Sequence, residues 1–182
     1  MDAALYFVLK TLLDLYLIAY ILRFLLQWSR ADFHNPLSQF ILRITDPVVR
    51  PLRRVVPGWR GLDLSPVVAL LLLQLVVTAL LLFMATGAVA NAGLLFYYAV
   101  LRIIVGVVRL YFFAILIYVI LSWVNPGAWN PLISVLHSLV RPVLGPVRRI
   151  IPTIGGLDLS PLFVLIGLQA VLIMLRLPGY LA

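Results

Sequence analysis

The chain has 182 residues, 64% of them hydrophobic and only 11% charged, with a formal net charge of +8. So few polar residues cannot cover a water-facing surface, which excludes a soluble globular domain and makes a bilayer the expected solvent. The absence of cysteine and glutamate, with histidine limited to His34 and His137, removes thiol and iron-sulfur chemistry and leaves metal or haem ligation little to build on, so no cofactor is expected.

The first apolar stretch, near residues 4–27, has the length of a transmembrane helix. It lacks a basic leader and a small-residue cleavage site, so it is expected to stay in the membrane rather than act as a signal peptide. A connector follows. Asn35-Pro36 reads as a helix N-cap with proline at the first helical position, and Leu37, Phe40, Ile41 and Ile44 then recur at helical spacing. This helix is too short and too polar on one face to cross a bilayer, so a surface-lying or shallow re-entrant segment is predicted. Pro47 and Pro51 are expected to distort it. Beyond Arg53-Arg54, the run Gly61-Leu62-Asp63-Leu64-Ser65-Pro66 turns back into the membrane, with Ser65 as N-cap of a second span near 66–86.

A third apolar stretch near 95–123 begins the same programme again. Shifted by 95 residues, Trp28 falls on Trp123, Asn35 on Asn130, Arg53-Arg54 on Arg148-Arg149, and Asp63-Leu64-Ser65-Pro66 on Asp158-Leu159-Ser160-Pro161. A fourth span is placed near 161–177. The predicted fold is thus an all-α membrane protein with four transmembrane helices, built as tandem units over residues 1–90 and 91–182, each with an amphipathic connector. Because each unit holds an even number of spans, the second enters the membrane the same way as the first, a parallel repeat. Both connectors then share one side, and they hold most of the arginines while the loop between the units, residues 85–93, carries no charge. The positive-inside rule makes the connectors cytoplasmic and the termini periplasmic.

The paired arginines lie at headgroup depth, where guanidinium forks suit anionic lipid phosphates or an acidic partner segment. The cations are interleaved with apolar stripes rather than gathered on a free domain, so nucleic acid is not an expected partner. Membrane lipids are, together with a possible second copy of the chain or another membrane protein. Asp63 and Asp158, each beside a helix start, can accept backbone N–H bonds, pair with Arg53, Arg54, Arg148 or Arg149, or contribute to a cation site. Inside the membrane, Asp14 and Arg109 are repeat equivalents of opposite charge. If parallel helices put them at equal depth, they form an ion pair between spans one and three, with Lys10 as a second partner for Asp14. Arg23 and Arg102 are expected to snorkel to opposite interfaces. Gln74 and Gln169 are expected to hydrogen-bond across helices.

A two-span unit with Trp, Asn-Pro-Leu, spaced prolines, Arg-Arg-x-x-Pro and Gly-Leu-Asp-Leu-Ser-Pro resembles the YggT family, here in its duplicated form. The resemblance implies a small inner-membrane protein of bacteria without established catalytic activity, whose relatives have been linked to osmotic stress or ion homeostasis, to division or envelope processes, and to plastid cytochrome assembly. It points to a non-enzymatic scaffold, assembly or regulatory factor; the alternative is an ion-handling channel or transporter component. The second unit departs from the first at Asp46 and Arg50, which become Arg141 and Gly145, so the halves need not work alike.

Overall fold

The computed structural model describes residues 3–58, 63–124, 130–151, 158–179 and 181. All six elements among them are helices: α1 (Ala3–Trp28), α2 (Pro36–Arg53), α3 (Ser65–Thr86), α4 (Ala92–Val124), α5 (Pro131–Arg148) and α6 (Ser160–Met174). By length and composition α1, α3 and α4 can cross a membrane. The fourth apolar helix, α6, has 15 residues, about 22 Å of rise and short of a ~30 Å hydrocarbon core.

Each connector is one continuous 18-residue helix that runs through both of its prolines. The sequence predicts a distortion there, and the reason the helix nevertheless continues lies in which face the prolines occupy. Pro47 and Pro51, like Pro142 and Pro146, are exposed and share a face with the exposed Arg43 and Arg54 or with Arg149. The carbonyls that lose their amide partners one turn earlier therefore open outward, where other donors can reach them. The opposite face of α2 buries Ser38, Thr45 and Val49, and that of α5 buries Leu136, Leu139, Val140 and Leu144.

The core has two parts. The larger gathers Tyr20, Ile21, Leu25 and Leu26 of α1 with Val49 of α2 and Ala69, Leu70, Val77 and Leu81 of α3. The smaller joins Ala114 and Ile115 of α4 to Leu136, Val140 and Leu144 of α5. Between the units α3 packs on both α1 and α4, whereas its repeat equivalent α6 packs on α4 and α5 but not on α1. Leu177 and Leu181, beyond α6, join the larger cluster instead. The duplication is therefore closed on one side only.

Candidate functional site

At the start of α3 and of α6 an aspartate both accepts a backbone N–H and pairs with an arginine, two of the roles the sequence offers it. The Ser65 backbone N–H donates to Asp63 Oδ1 at 2.9 Å, and that of Ser160 donates to Asp158 Oδ1 at the same distance. Neither serine side chain caps its helix, because both helices begin at the serine itself and not after it. The other carboxylate oxygens accept from Arg53 Nε and Arg148 Nε, each at 2.7 Å. Partial burial pushes both carboxyls up, but hydrogen bonding from Ser65 or Ser160 and then the arginine outweighs it and holds both below the usual range. A depressed folded-state value stabilises the fold above the unfolded value of about 4 and stops doing so as pH falls through the folded one. Replacing both residues, Asp63→Asn and Asp158→Asn, should flatten the loss of thermal stability below about pH 4, read from melting curves across pH. The flanking Gly61 and Gly156 lie outside the described residues, as do Trp59 and Trp129.

The arginine pairs are thereby split. Arg53 and Arg148 are engaged by their aspartates, while Arg54 and Arg149 are exposed and make no ion pair among the described residues. Beside them Val55 and Ile150, also repeat equivalents, are each 80% exposed. A bare cation thus lies next to a bare aliphatic side chain at the same place in both units.

Asn35 and Asn130 cap α2 and α5 as expected, accepting from the backbone N–H of Leu37 and of Ile133, both at 2.9 Å. Asn35 does more. Its Nδ2 donates to the Pro131 carbonyl at 2.9 Å and so ties the start of one connector to the start of the other.

Inside the bundle the expected Asp14–Arg109 pair is not formed. Asp14 is bonded instead to Arg102, with Lys10 at 3.4 Å on its other oxygen. The premise of equal depth fails because α1 and α4 pack out of the duplicated register. Arg102 is the repeat equivalent of Phe7, two turns outward of Asp14, and Gly106, the equivalent of Thr11, lies against Ile21. Arg102 does not snorkel outward; it is 7% exposed and also donates to the Leu181 carbonyl at 3.0 Å. Arg109 has no ion-pair or hydrogen-bond partner among the described residues, and it is exposed. It lines a 510 Å³ cleft between α1, α4 and the connectors, shared with Asp14, Arg102 and Gln74; every other lining side chain among the described residues is apolar or glycine.

A second buried centre escapes the sequence reading. Arg23, 3% exposed, donates from one nitrogen to Thr45 Oγ1 at 2.7 Å, Asp46 Oδ1 at 2.8 Å and the Leu42 carbonyl at 3.3 Å. Arg50 holds the other Asp46 oxygen at 2.9 Å. Arg23 therefore bolts α1 to α2 rather than snorkelling. The signal was in the repeat: Arg23, Thr45 and Asp46 become Tyr118, Val140 and Arg141, so all three partners are lost together in the second unit. Gln74 bonds to Thr78 of its own helix at 3.1 Å, and Gln169 is exposed on α6, so neither makes the expected bond across helices.

This duplicated plan matches one family model, CCB3/YggT, twice along the chain, at residues 3–84 and 97–178. The chain belongs to the CCB3/YggT family. Among its relatives, an uncharacterized protein of Pseudomonas aeruginosa is 42% identical over 172 residues, covering 94% of this chain and 87% of the relative. One from Vibrio alginolyticus is 45% identical, covering 90% and 88%. The protein called YggT in Escherichia coli K12 is 34% identical, covering 91% and 85%. No solved structure matches. The family match and the long apolar helices make this a membrane protein with two family units, and these relatives' names carry no enzymatic activity.

Proposed function

We propose that the protein is a non-enzymatic scaffold of the bacterial inner membrane, with four membrane-embedded helices arranged as two parallel units, connectors on the cytoplasmic side and termini on the periplasmic side. It organises anionic lipid, or a partner membrane protein, at its connectors in envelope or osmotic processes. The observation that carries this reading is the matched pair of tips, Arg54-Val55 and Arg149-Ile150, unpaired and exposed in both units. Their neighbours Arg53 and Arg148 fix the tips in place through the aspartates that start α3 and α6. The Asn35 bridge holds the two connectors as one platform.

Amide exchange tests this. In bilayers containing anionic lipid, residues 54–56 and 149–151 should exchange more slowly than in neutral bilayers. The Arg54→Gln/Arg149→Gln protein should lose that difference. Equal exchange in both bilayers for the unaltered protein would sink the proposal.

An ion-handling role would have to use the cleft with Asp14, Arg102 and Arg109. Against it, the walls are otherwise apolar apart from Gln74, which offers an ion no replacement for its hydration shell. Ion flux in proteoliposomes that disappears with Arg109→Gln would reverse the preference.

A further inference from the structure

The cleft between α1 and α4 holds an imbalance of charge that no described residue corrects. Arg109 lies midway along the 33-residue α4, fourteen residues from Trp123, or about 21 Å along the helix. An unpaired guanidinium at such depth is costly, and bundle interiors normally supply it with an acid. Asp14, the only acid among the described residues that line the cleft, is already held by Arg102 and Lys10. A second unmet need sits beside it. Arg102 is 7% exposed, and its Nε has no hydrogen-bond partner. The polar groups lining the cleft thus carry one net positive charge and at least one buried donor without an acceptor.

From this charged level the cleft runs toward the connectors between aliphatic and aromatic walls, with Leu22, Phe40, Ile41, Ile117, Val135 and Leu136 among them. Its shape and chemistry are those of an amphiphile turned with its anion toward Arg109. We propose that the cleft binds one anionic phospholipid, its phosphodiester taken by Arg109 and Arg102 Nε and an acyl chain laid along the walls toward α2 and α5. A phosphodiester supplies the negative charge that Arg109 lacks, and its oxygens match the planar donor fork of arginine. The 510 Å³ volume is in the range of sites that enclose small organic ligands. This site is separate from the connector tips and stands on different residues.

The test is native mass spectrometry of the delipidated full chain in mild detergent, titrated with phosphatidylglycerol and, separately, with oleate. One phosphatidylglycerol per chain should survive activation, and Arg109→Gln should weaken its binding at least tenfold, the loss expected when a charged partner is removed. Ile117→Trp, which fills the wall of the cleft without touching its charge, should also evict the lipid. Arg54→Gln/Arg149→Gln should leave it bound, which separates failure here from failure at the connectors. Undiminished lipid in Arg109→Gln, or in Ile117→Trp should the first variant not fold, overturns the proposal. So does displacement of phosphatidylglycerol by equimolar oleate, which would make the ligand a free carboxylate. A dimer that forms with lipid excluded would assign the cleft to a second copy and overturn it as well.

Discussion

Asp14→Leu is expected to be among the most damaging single changes in this chain, because it strands Arg102 inside the bundle. Arg102 is 7% exposed, and without Asp14 its remaining hydrogen bond among the described residues is to the Leu181 carbonyl. Removing one partner of a buried pair leaves an uncompensated charge and costs about 3–5 kcal/mol. The change should appear as a large fall in stability in a denaturing-detergent titration. Arg102→Met should restore much of it, since replacing both members of a buried pair by apolar groups is nearly neutral. A double-mutant cycle should give about 0.5–3 kcal/mol of coupling for Asp14 with Arg102, and close to none for Asp14 with Arg109. Strong coupling to Arg109 would show that the units pack in the duplicated register after all.

The second large effect is expected at Asp46→Ala, and its strength lies in a built-in control. Arg23 is 3% exposed and reaches Asp46 at 2.8 Å, so losing the carboxylate leaves a guanidinium beneath α2 with only the Thr45 hydroxyl and the Leu42 carbonyl. The cost should again be about 3–5 kcal/mol. Arg141→Ala alters the equivalent position in the second unit, where the side chain is exposed and forms no ion pair among the described residues. That change should stay within about 0.5 kcal/mol, as exposed substitutions usually do. Equal effects at the two positions would mean that Arg23 does not join α1 to α2.

What the sequence made legible follows from what a repeat preserves. The apolar stretches near 4–27, 66–86 and 95–123 appear as α1, α3 and α4 within a few residues, because length and hydropathy are local properties. Asn35 and Asn130 cap their helices for the same reason: N-cap geometry involves residues only two or three apart. The partner of Asp14 was not legible. Equivalence under the 95-residue shift says which residues share an ancestor position, and helix packing decides which of them meet. Side chains such as Ile21 filling the space beside Gly106 set that register, and no one-dimensional pattern records it. The serine caps failed more narrowly. Asx turns at Asp63 and Asp158 bond the second residue on, the backbone N–H acceptance that the sequence already offers these acids. Arg23 was misplaced because a basic residue near a span end ordinarily reaches water, and only its joint replacement with Thr45 and Asp46 in the second unit marks it as internal.

The bond from Asn35 to the Pro131 carbonyl has a consequence for symmetry. Asn130 makes no matching bond to Pro36 among the described residues. A dimer of two identical units about a true twofold axis would have to form such a bond twice or not at all, since every contact in an isologous interface has its mate. Covalent fusion lifts that constraint and lets one half grip while the other is gripped. The molecule therefore has a direction from one unit to the other, a leading unit and a trailing one, which a twofold-symmetric pair of single units cannot possess.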